Sequence, residues 1–227
     1  MERLMLNELI GPLNDIEKKS APPYVYIEGN RNLMFDGPRV SIVGSRKASL
    51  VGIDNSILLA KALVKKGVIV VSGLAEGIDT AAHKTAIKEG GKTIAVLGTP
   101  LDTCYPAENS KLQEELTKKH LVISQFPLKL PTQRGNFPMR NRTMALISHT
   151  TIIVEASDTS GSLHQGWEAL RLGRPLFILE SVVNNKKLTW PKEMIKYGAI
   201  VLSTKNLKPL FDVLPTSDIL VNLDVAF

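Results

Sequence analysis

The residue types best suited to chemistry lie together in one short segment of the chain. Gly44, Ser45, Arg46 and Lys47 supply a small residue, a hydroxyl and two cations directly after an apolar, β-branched run at residues 40–44 (VSIVG). In a parallel α/β sheet such a loop lies beyond the carboxyl end of its strand, where the next helix offers unpaired N–H groups to anions. We therefore predict a phosphate-binding loop at these four residues.

A second candidate segment, residues 134–142 (RGNFPMRNR), lies just ahead of an apolar helix and inside a stretch between Glu115 and Glu155 without Asp or Glu. Its arginines can neutralise phosphates, and Phe137 offers a flat surface on which an unpaired base stacks for about 1–3 kcal/mol. Other interpretations remain open. The basic stretch can be a solvated face, Phe137 can anchor the loop in the core, and Arg142 can pair with a nearby carboxylate. The candidate residues of this segment are Arg134, Asn136, Phe137, Arg140 and Arg142.

A third candidate, Ser160, Gly161 and Ser162, stands between an apolar run at residues 150–156 and a helix-compatible segment. Hydroxyls and main-chain amides at the start of a helix can bind a phosphate. The same hydroxyls can instead cap the helix. The residues alone leave both interpretations open.

Common nucleotide-binding and catalytic motifs do not fit these loops. The first loop is not a dinucleotide fingerprint, because Arg46 and Ser49 occupy its later glycine positions. The second predicted strand also ends in Ser72 and Gly73, where a ribose-binding enzyme places an acid. A phosphate-binding Walker loop fails because Ala86 stands at its first glycine position. No serine has the spacing of a nucleophile elbow.

The remaining reactive side chains indicate no metal, cofactor or catalytic site. Cys104 is the only cysteine, and the four histidines show no metal-ligand spacing. Asp79 and His83 can share a helical face, but we interpret Asp79 as a helix cap and His83 as a partly buried helix residue. We therefore expect no metal and no cofactor.

Composition favours a cytoplasmic protein. The chain has 227 residues and a formal net charge of +6, and no run approaches the roughly 18 apolar residues that span a bilayer. Its amino terminus carries Glu2 and Glu8 without a long apolar stretch, so no secretory signal is visible. We expect no membrane association.

Short apolar runs alternate with helix-compatible segments from residue 40 onward, which predicts βαβ units and a mostly parallel sheet with helices on both faces. The first of these helices is predicted at residues 54–66, with Gly67 as its left-handed C-cap. The predicted strands are residues 24–29, 40–44, 68–73, 93–98, 121–126, 150–156, 175–180 and 199–203.

We divide the chain into three parts. Residues 1–36 contain helix-breaking prolines and are predicted to form an N-terminal extension packed on the main domain. Residues 37–213 form that domain, with the candidate loops. Residues 214–227 form a C-terminal tail that is apolar enough to pack somewhere, with a subunit interface as one destination.

Over roughly residues 22–180 the sequence resembles the DprA/Smf family of DNA-processing proteins. No single motif is specific, but five occur in order. They are Gly44-Ser45-Arg46; residues 72–83 (SGLAEGIDTAAH); residues 93–99 (TIAVLGT) with Asp102 and residues 105–109 (YPAEN); residues 136–142 (NFPMRNR); and residues 154–156 (VEA) with residues 160–162 (SGS).

The resemblance implies an extended Rossmann-like α/β fold, a homodimer and binding of single-stranded DNA without sequence preference. It also implies a role in loading the recombinase RecA onto DNA during natural transformation or recombination, without catalysis. In such a site the first loop holds a phosphate, the aromatic segment borders a base pocket, and glycines of residues 72–77 let the main chain approach the ligand. The DNA-binding residues assigned are Gly44, Ser45, Arg46, Lys47, Ser72, Gly73, Gly77, Arg134, Asn136, Phe137, Arg140, Arg142, Ser160, Gly161 and Ser162.

The chain departs from the family pattern at Asp158-Thr159 and again after Ser162. Asp158 puts an acid near a proposed phosphate site, and residues 163–168 (LHQGWE) replace small and apolar residues. We also expect no additional small helical domains at the ends. These differences concern the expected dimer and the RecA partnership more than DNA binding.

Two other function classes remain open from the sequence. One is a small-nucleotide sensor or an N-glycosidic hydrolase of the same superfamily, in which the pocket holds a single ligand. Such hydrolases carry a Pro-Gly-Gly-x-Gly-Thr loop, whereas residues 158–162 here are Asp-Thr-Ser-Gly-Ser. The other is a protein-interaction scaffold without DNA binding.

Overall fold

Nine β-strands form one continuous sheet in the computed structural model, which describes residues 1–215. The strands are β1 (Glu2–Met5), β2 (Tyr24–Gly29), β3 (Arg39–Gly44), β4 (Ile69–Ser72), β5 (Thr93–Leu97), β6 (Leu121–Ser124), β7 (Thr150–Glu155), β8 (Leu176–Leu179) and β9 (Ile200–Leu202). Their order across the sheet is β1-β2-β6-β5-β4-β3-β7-β8-β9. The pairs β1–β2 and β2–β6 are antiparallel and the other pairs are parallel. The predicted mostly parallel sheet is therefore confirmed.

Helices cover both faces of this sheet, as the α/β pattern predicts. The helices are α1 (Asn7–Ile10), α2 (Asp15–Lys18), α3 (Leu50–Lys65), α4 (Ile78–Lys88), α5 (Ser110–Lys119), α6 (Asn136–Ile147), α7 (Ser162–Arg171), α8 (Glu180–Val183), α9 (Trp190–Lys196) and α10 (Lys208–Asp212), with short 3₁₀ turns at Arg31–Met34 and Ala107–Asn109. α3 packs against α4, and α6 packs against α7. Right-handed crossovers place these two pairs on opposite faces. Within the described residues, no helix is long and apolar enough to cross a membrane.

The direction of the chain across the sheet reverses beside β3. From β3 the chain adds β4, β5 and β6 on one side, then crosses back to add β7, β8 and β9 on the other. The helices that follow β3 and β7 therefore leave toward opposite faces. Between them a crevice opens at the carboxyl ends of the strands, where open α/β sheets bind ligands.

Helix α3 begins earlier than predicted. It starts at Leu50 rather than at residue 54, because the Ser49 hydroxyl accepts a hydrogen bond from the Gly52 N–H (3.0 Å) and caps the helix. At the other end, Gly67 has a φ of 68°, which is the left-handed conformation that the sequence predicts for a C-cap. The start was missed because apolar spacing, rather than capping, set the predicted boundary.

Helix α4 has no side-chain cap. It begins at Ile78 after Gly77, and no side chain bonds to its first amides. The prediction that Asp79 caps this helix is wrong, because its carboxylate accepts hydrogen bonds from the N–H groups of Gly73 (3.1 Å) and Ala75 (3.4 Å) instead. Asp79 therefore closes the loop that precedes α4.

Helix α6 includes most of the segment that the sequence analysis placed ahead of a helix. It begins at Asn136, so Phe137, Arg140 and Arg142 all lie on helical backbone. The prediction of a loop is wrong at these residues. Helical spacing places Phe137, Arg140 and Met144 on one face and turns Arg142 away from that face.

The first 36 residues contribute to the same sheet as the rest of the chain. β1 pairs with β2, and β2 pairs with β6 along residues 26–29. Leu6 and Leu9 are buried in the core that also contains the central strands, and Glu17 forms a half-buried ion pair with Arg174 at 2.8 Å. Of the predicted tail at 214–227, the residues from 216 onward lie outside the described residues.

Candidate nucleic-acid interface

A cavity of about 500 Å³ lies beyond the carboxyl ends of β3 and β7, at the point where the chain direction reverses. The loop after β3, the loop after β7 and the first turns of α6 line it. Its volume is within the usual range for small-ligand sites. The predicted site residues in its lining are Gly44, Ser45, Arg46, Lys47, Phe137, Arg140, Ser160, Gly161 and Ser162. The fold thus brings together three segments that are far apart in the sequence.

Arg46 and Lys47 place two exposed cations at the rim of this cavity. The Arg46 guanidinium carbon lies 4.9 Å from the centre of the Phe137 ring, which is a cation–π distance. Within residues 1–215, neither cation forms a salt bridge. Both charges are therefore available to an anion that enters the cavity.

Phe137 is partly buried. It combines features of the two predicted roles, an anchor in the core and a surface on which a base stacks. A Cβ atom built on Gly98, at the end of β5, would lie only 2.6 Å from its ring. Because Gly98 has no side chain, it leaves the space in which the Phe137 ring packs. The ring also lines the cavity and borders Arg46. Phe137 thus anchors the start of α6 and leaves part of its surface toward a ligand.

Tyr105, which is not among the predicted site residues, extends this cluster. Its ring centre lies 5.5 Å from that of Phe137 with the planes tilted by 51°. Arg46 lies 5.9 Å from the Tyr105 ring centre. Its position in the loop after β5 was the sequence feature that could have identified Tyr105, because loops at the carboxyl ends of parallel strands converge on the same crevice.

Arg140 lies on the floor of the cavity and is only 4% exposed. Its Nη1 donates to the carbonyls of Gly73 and Val96, and its Nε donates to the Asn141 side chain at 2.9 Å. Burial lowers the pKa of Arg140 to about 10, and the charge of Arg46 acts in the same direction. Arg140 therefore stays charged at neutral pH and ties β4 and β5 to α6.

The carboxylate of Asp79 faces the same buried region. Burial raises the pKa of Asp79, and the nearby charge of Arg140 and main-chain hydrogen bonds from Ala75 and Gly73 act against that rise. Buried charges remain in a protein only where partners compensate them. Asp79 and Arg140 are thus two buried groups of opposite charge at the floor of the cavity, each hydrogen-bonded to other protein atoms. Within residues 1–215, no group of three or more acidic, histidine or cysteine side chains could hold a metal ion.

Ser72, Gly73 and Gly77 do not line the cavity, and each contacts other parts of the protein instead. The Ser72 hydroxyl donates to the Ile42 carbonyl at 2.7 Å. A side chain on Gly73 would collide with the Arg140 guanidinium. Gly77 has a φ of 73°, and a side chain there would collide with the carbonyls of the loop after β3. These glycines therefore make room for protein atoms.

The loop after β7 forms the opposite wall of the cavity. α7 begins at Ser162, and no side chain caps its N-terminus. The Ser160 hydroxyl instead accepts a hydrogen bond from the Ser157 N–H at 2.9 Å. The Ser162 hydroxyl is buried and has no hydrogen-bond partner in the described part of the chain. This wall therefore presents helix-terminal amides and hydroxyls.

Asp158, the acid that departs from the family pattern, does not line this cavity. Its carboxylate accepts hydrogen bonds from the Thr189 N–H (3.1 Å) and hydroxyl (3.0 Å), just before α9. These bonds, led by that from the Thr189 main chain, lower the pKa of Asp158. The negative charge is therefore held toward α9 and away from the candidate anion site.

Three further predicted residues, besides Ser72, Gly73 and Gly77, also lie outside the cavity lining. Arg134 and Arg142 are exposed, and Asn136 is buried with an unpartnered side-chain nitrogen among the described residues. Arg142 lies one helical turn beyond Pro138, which does line the cavity. Within residues 1–215 Arg142 forms no salt bridge, so the alternative interpretation as an ion pair does not hold there.

Fold and site together define a Rossmann-like α/β protein with a basic crevice. The crevice lies at the switch point of the sheet, which is the place beside β3 where the direction of the chain across the sheet reverses. The chain belongs to the DprA/Smf family: the family described as DNA recombination-mediator protein A matches residues 11–212.

Curated relatives agree with this assignment. Protein Smf of Escherichia coli is 37% identical over 183 residues, which cover 80% of this chain and 49% of the relative. The chain spans between about half and two thirds of the length of the curated Synechocystis and Bacillus subtilis relatives that it matches (52% and 66%).

Two solved structures share the fold at higher coverage. DNA processing protein A from Streptococcus pneumoniae matches with a TM-score of 0.78 and 32% identity, over 91% of this chain and 72% of that protein. DNA processing protein A from Helicobacter pylori matches with a TM-score of 0.75 and 26% identity, over 93% of this chain and 94% of that protein. The latter structure is described by its single-stranded DNA binding mode.

Proposed function

We propose that this chain binds single-stranded DNA in the cavity at the switch point and releases it chemically unchanged. The observation that carries the proposal is the position of Arg46, an exposed cation 4.9 Å from an aromatic ring at the rim of the cavity. A cation for the phosphate beside a ring for the base is the combination by which proteins hold single strands without reading sequence. The binding mode named for the H. pylori relative supports this proposal.

Each wall of the cavity has its own part in the proposal. Arg46 and Lys47 neutralise successive phosphates, with Ser45 adding a hydroxyl at the end of β3. The amides and hydroxyls at the start of α7 hold a further phosphate. Phe137 contacts a base where its ring remains uncovered. Arg140 and Asp79 keep these groups in place from the floor of the cavity.

Binding without turnover fits the carboxylates at and near the cavity. Asp79 lines it but accepts hydrogen bonds from the Gly73 and Ala75 main chain. Glu155, at the end of β7, is not part of the cavity lining and accepts a hydrogen bond from the Ser49 N–H at 3.0 Å. An N-glycosidic hydrolase needs a carboxylate free to act on the sugar or on water, and both carboxylates are already engaged.

The biological role that we propose is DNA processing in the cytoplasm, in transformation or recombination. A strand held by phosphates and stacked bases keeps its pairing edges open to another protein. Delivery of the strand to the recombinase RecA, and action as a homodimer, are further parts of the proposal. Co-purification with RecA on oligo-dT and sedimentation of the free chain would test these two parts separately.

Titration of labelled oligo-dT by fluorescence anisotropy tests the proposed site. Arg46→Ala should weaken binding by at least tenfold, because it removes both a phosphate contact and the cation beside the ring. Arg3→Ala is the matched control, since Arg3 also stacks on an aromatic ring, Tyr24, at 3.9 Å but in the edge strand β1. Equal affinities for all three proteins would refute the site. Mass spectrometry of the recovered strand tests the absence of turnover.

A small-nucleotide sensor is the second candidate function, because the cavity volume of about 500 Å³ can enclose a single nucleotide. In that case thymidine monophosphate should displace oligo-dT completely when the two ligands are supplied at the same concentration of nucleotides. Binding that strengthens with strand length instead supports the DNA-binding function.

A further inference from the structure

Tyr105 is an exposed aromatic residue on the outer side of the cavity rim. Half of its surface (50%) is accessible, although the neighbouring loop is well anchored. The Thr99 hydroxyl donates to the Thr103 carbonyl at 2.7 Å, and the Asn109 side chain donates to the Leu74 carbonyl at 2.9 Å. The exposure of the ring is therefore a property of a fixed loop.

The ring of Tyr105 continues a row of groups that begins inside the cavity. Phe137 lines the cavity, whereas Tyr105 does not. Their ring centres are 5.5 Å apart, and the Arg46 guanidinium lies within 6 Å of both, at 4.9 and 5.9 Å. A strand that leaves the cavity beside Arg46 therefore passes the Tyr105 ring next.

We propose that Tyr105 is a second stacking residue, which holds the base that follows the one in the cavity. This inference rests on the proposed single-stranded DNA binding. Arg46 lies over Phe137 and packing on Gly98 covers more of that ring, so Tyr105 offers the larger open aromatic surface. Every base has a flat face, so such a contact adds affinity without sequence preference.

A second aromatic pair on the surface provides the matched control. Trp167 and Tyr197 have ring centres 5.4 Å apart, and Tyr197 is 72% exposed. Neither residue lines the cavity, and within residues 1–215 no cation lies over this pair. Tyr197→Ala therefore removes an exposed tyrosine from a comparable pair without touching the proposed strand.

The test compares oligo-dT with an abasic strand of the same length and charge. Tyr105→Ala should weaken binding of oligo-dT about tenfold, which is the usual size of one stacking contact. It should leave the abasic strand and the salt dependence unchanged. Tyr105→Phe should retain full affinity, because the stacking surface remains. Tyr197→Ala should match the parent protein on both strands.

Two further measurements separate stacking from a disturbed cavity. Tyr105→Leu keeps apolar bulk against Phe137 but lacks the flat ring, so it should also lose the base-dependent part of the affinity. Thymidine monophosphate fills the cavity alone, so its affinity should not change in any Tyr105 variant.

Different results would overturn different conclusions. An equal loss for oligo-dT and the abasic strand, or an unchanged affinity of Tyr105→Ala for oligo-dT, would overturn the stacking role. Failure of the parent protein to bind oligo-dT would overturn the proposed function itself. A loss with Arg46→Ala but none with Tyr105→Ala would overturn only the present inference.

Discussion

Two arginines at the same cavity differ in their burial and in their hydrogen bonding. Arg46, at the rim, is exposed and forms no salt bridge within residues 1–215. Arg140, on the floor, is 4% exposed and donates to two main-chain carbonyls and one side chain. An exposed cation is free to exchange water for a ligand phosphate, whereas a buried cation is already committed to the protein. We therefore expect Arg46 at the rim to bind phosphate, and Arg140 on the floor to hold the rim residues in position.

The largest effect that tests this comparison is on stability. Arg140→Met should lower the free energy of unfolding by about 3–5 kcal/mol, because it leaves two buried carbonyls without their donor and removes the positive charge near the buried carboxylate of Asp79. Denaturant unfolding measures this loss. Arg142→Met, two residues along the same helix and exposed, should change stability by less than about 0.5 kcal/mol. If Arg140→Met were as stable as the parent, the distinction between floor and rim would fail.

A smaller effect concerns pH and the residues behind the floor. His83 is fully buried, rather than partly buried as predicted, with Nδ1 2.7 Å from the Thr93 hydroxyl. Burial lowers the pKa of His83 from 6.5 to about 3, so the unfolded chain takes up a proton at a higher pH than the folded one. The contribution of neutral His83 to the free energy of unfolding is therefore complete above pH 6.5 and is lost as the pH falls toward 3.

For His83 alone, the free energy of unfolding should fall by about 2 kcal/mol between pH 7 and pH 5. Denaturant titrations at both pH values should show a smaller fall in His83→Gln than in the parent. His164→Gln, at an exposed position, should keep the parent's pH dependence. An identical pH dependence in His83→Gln would show that the floor is open to water.

Phe137 stands between rim and floor, so its effect should be intermediate. Phe137→Ala should weaken oligo-dT binding by about 1 kcal/mol, at the lower end of the range for stacking, since Arg46 and Gly98 already cover part of the ring. The salt dependence should stay nearly unchanged, which anisotropy at several ionic strengths measures. A loss of salt dependence as large as that of Arg46→Ala would mean that the ring acts only by holding Arg46.

The smallest expected effect is that of Arg142→Ala on binding. Arg142 lies outside the cavity lining, and helical spacing turns it away from the face of α6 that carries Phe137 and Arg140. The affinity for oligo-dT should therefore change less than twofold in an anisotropy titration. A loss equal to that of Arg46→Ala would place the strand along the outer side of α6.

The sequence predicted the sheet better than it predicted the orientation of side chains. Alternating apolar runs are enough to find strands and to bring the loops after β3 and β7 to one edge. They do not show that α6 begins at Asn136, which decides that Arg140 is buried and Arg142 is exposed. The sequence also could not show that the glycines of residues 72–77 accommodate Arg140 and the β3 loop, because these contacts join distant segments.

The salt dependence of oligo-dT binding shows whether the rim of the cavity holds phosphates. If a run of phosphates is held at the rim, the logarithm of the parent's binding constant should fall linearly with the logarithm of salt concentration. The slope should be about −0.7 for each phosphate contact, and Arg46→Ala should make it shallower by about that amount. A parent slope near zero, or an unchanged slope in Arg46→Ala, would contradict the account.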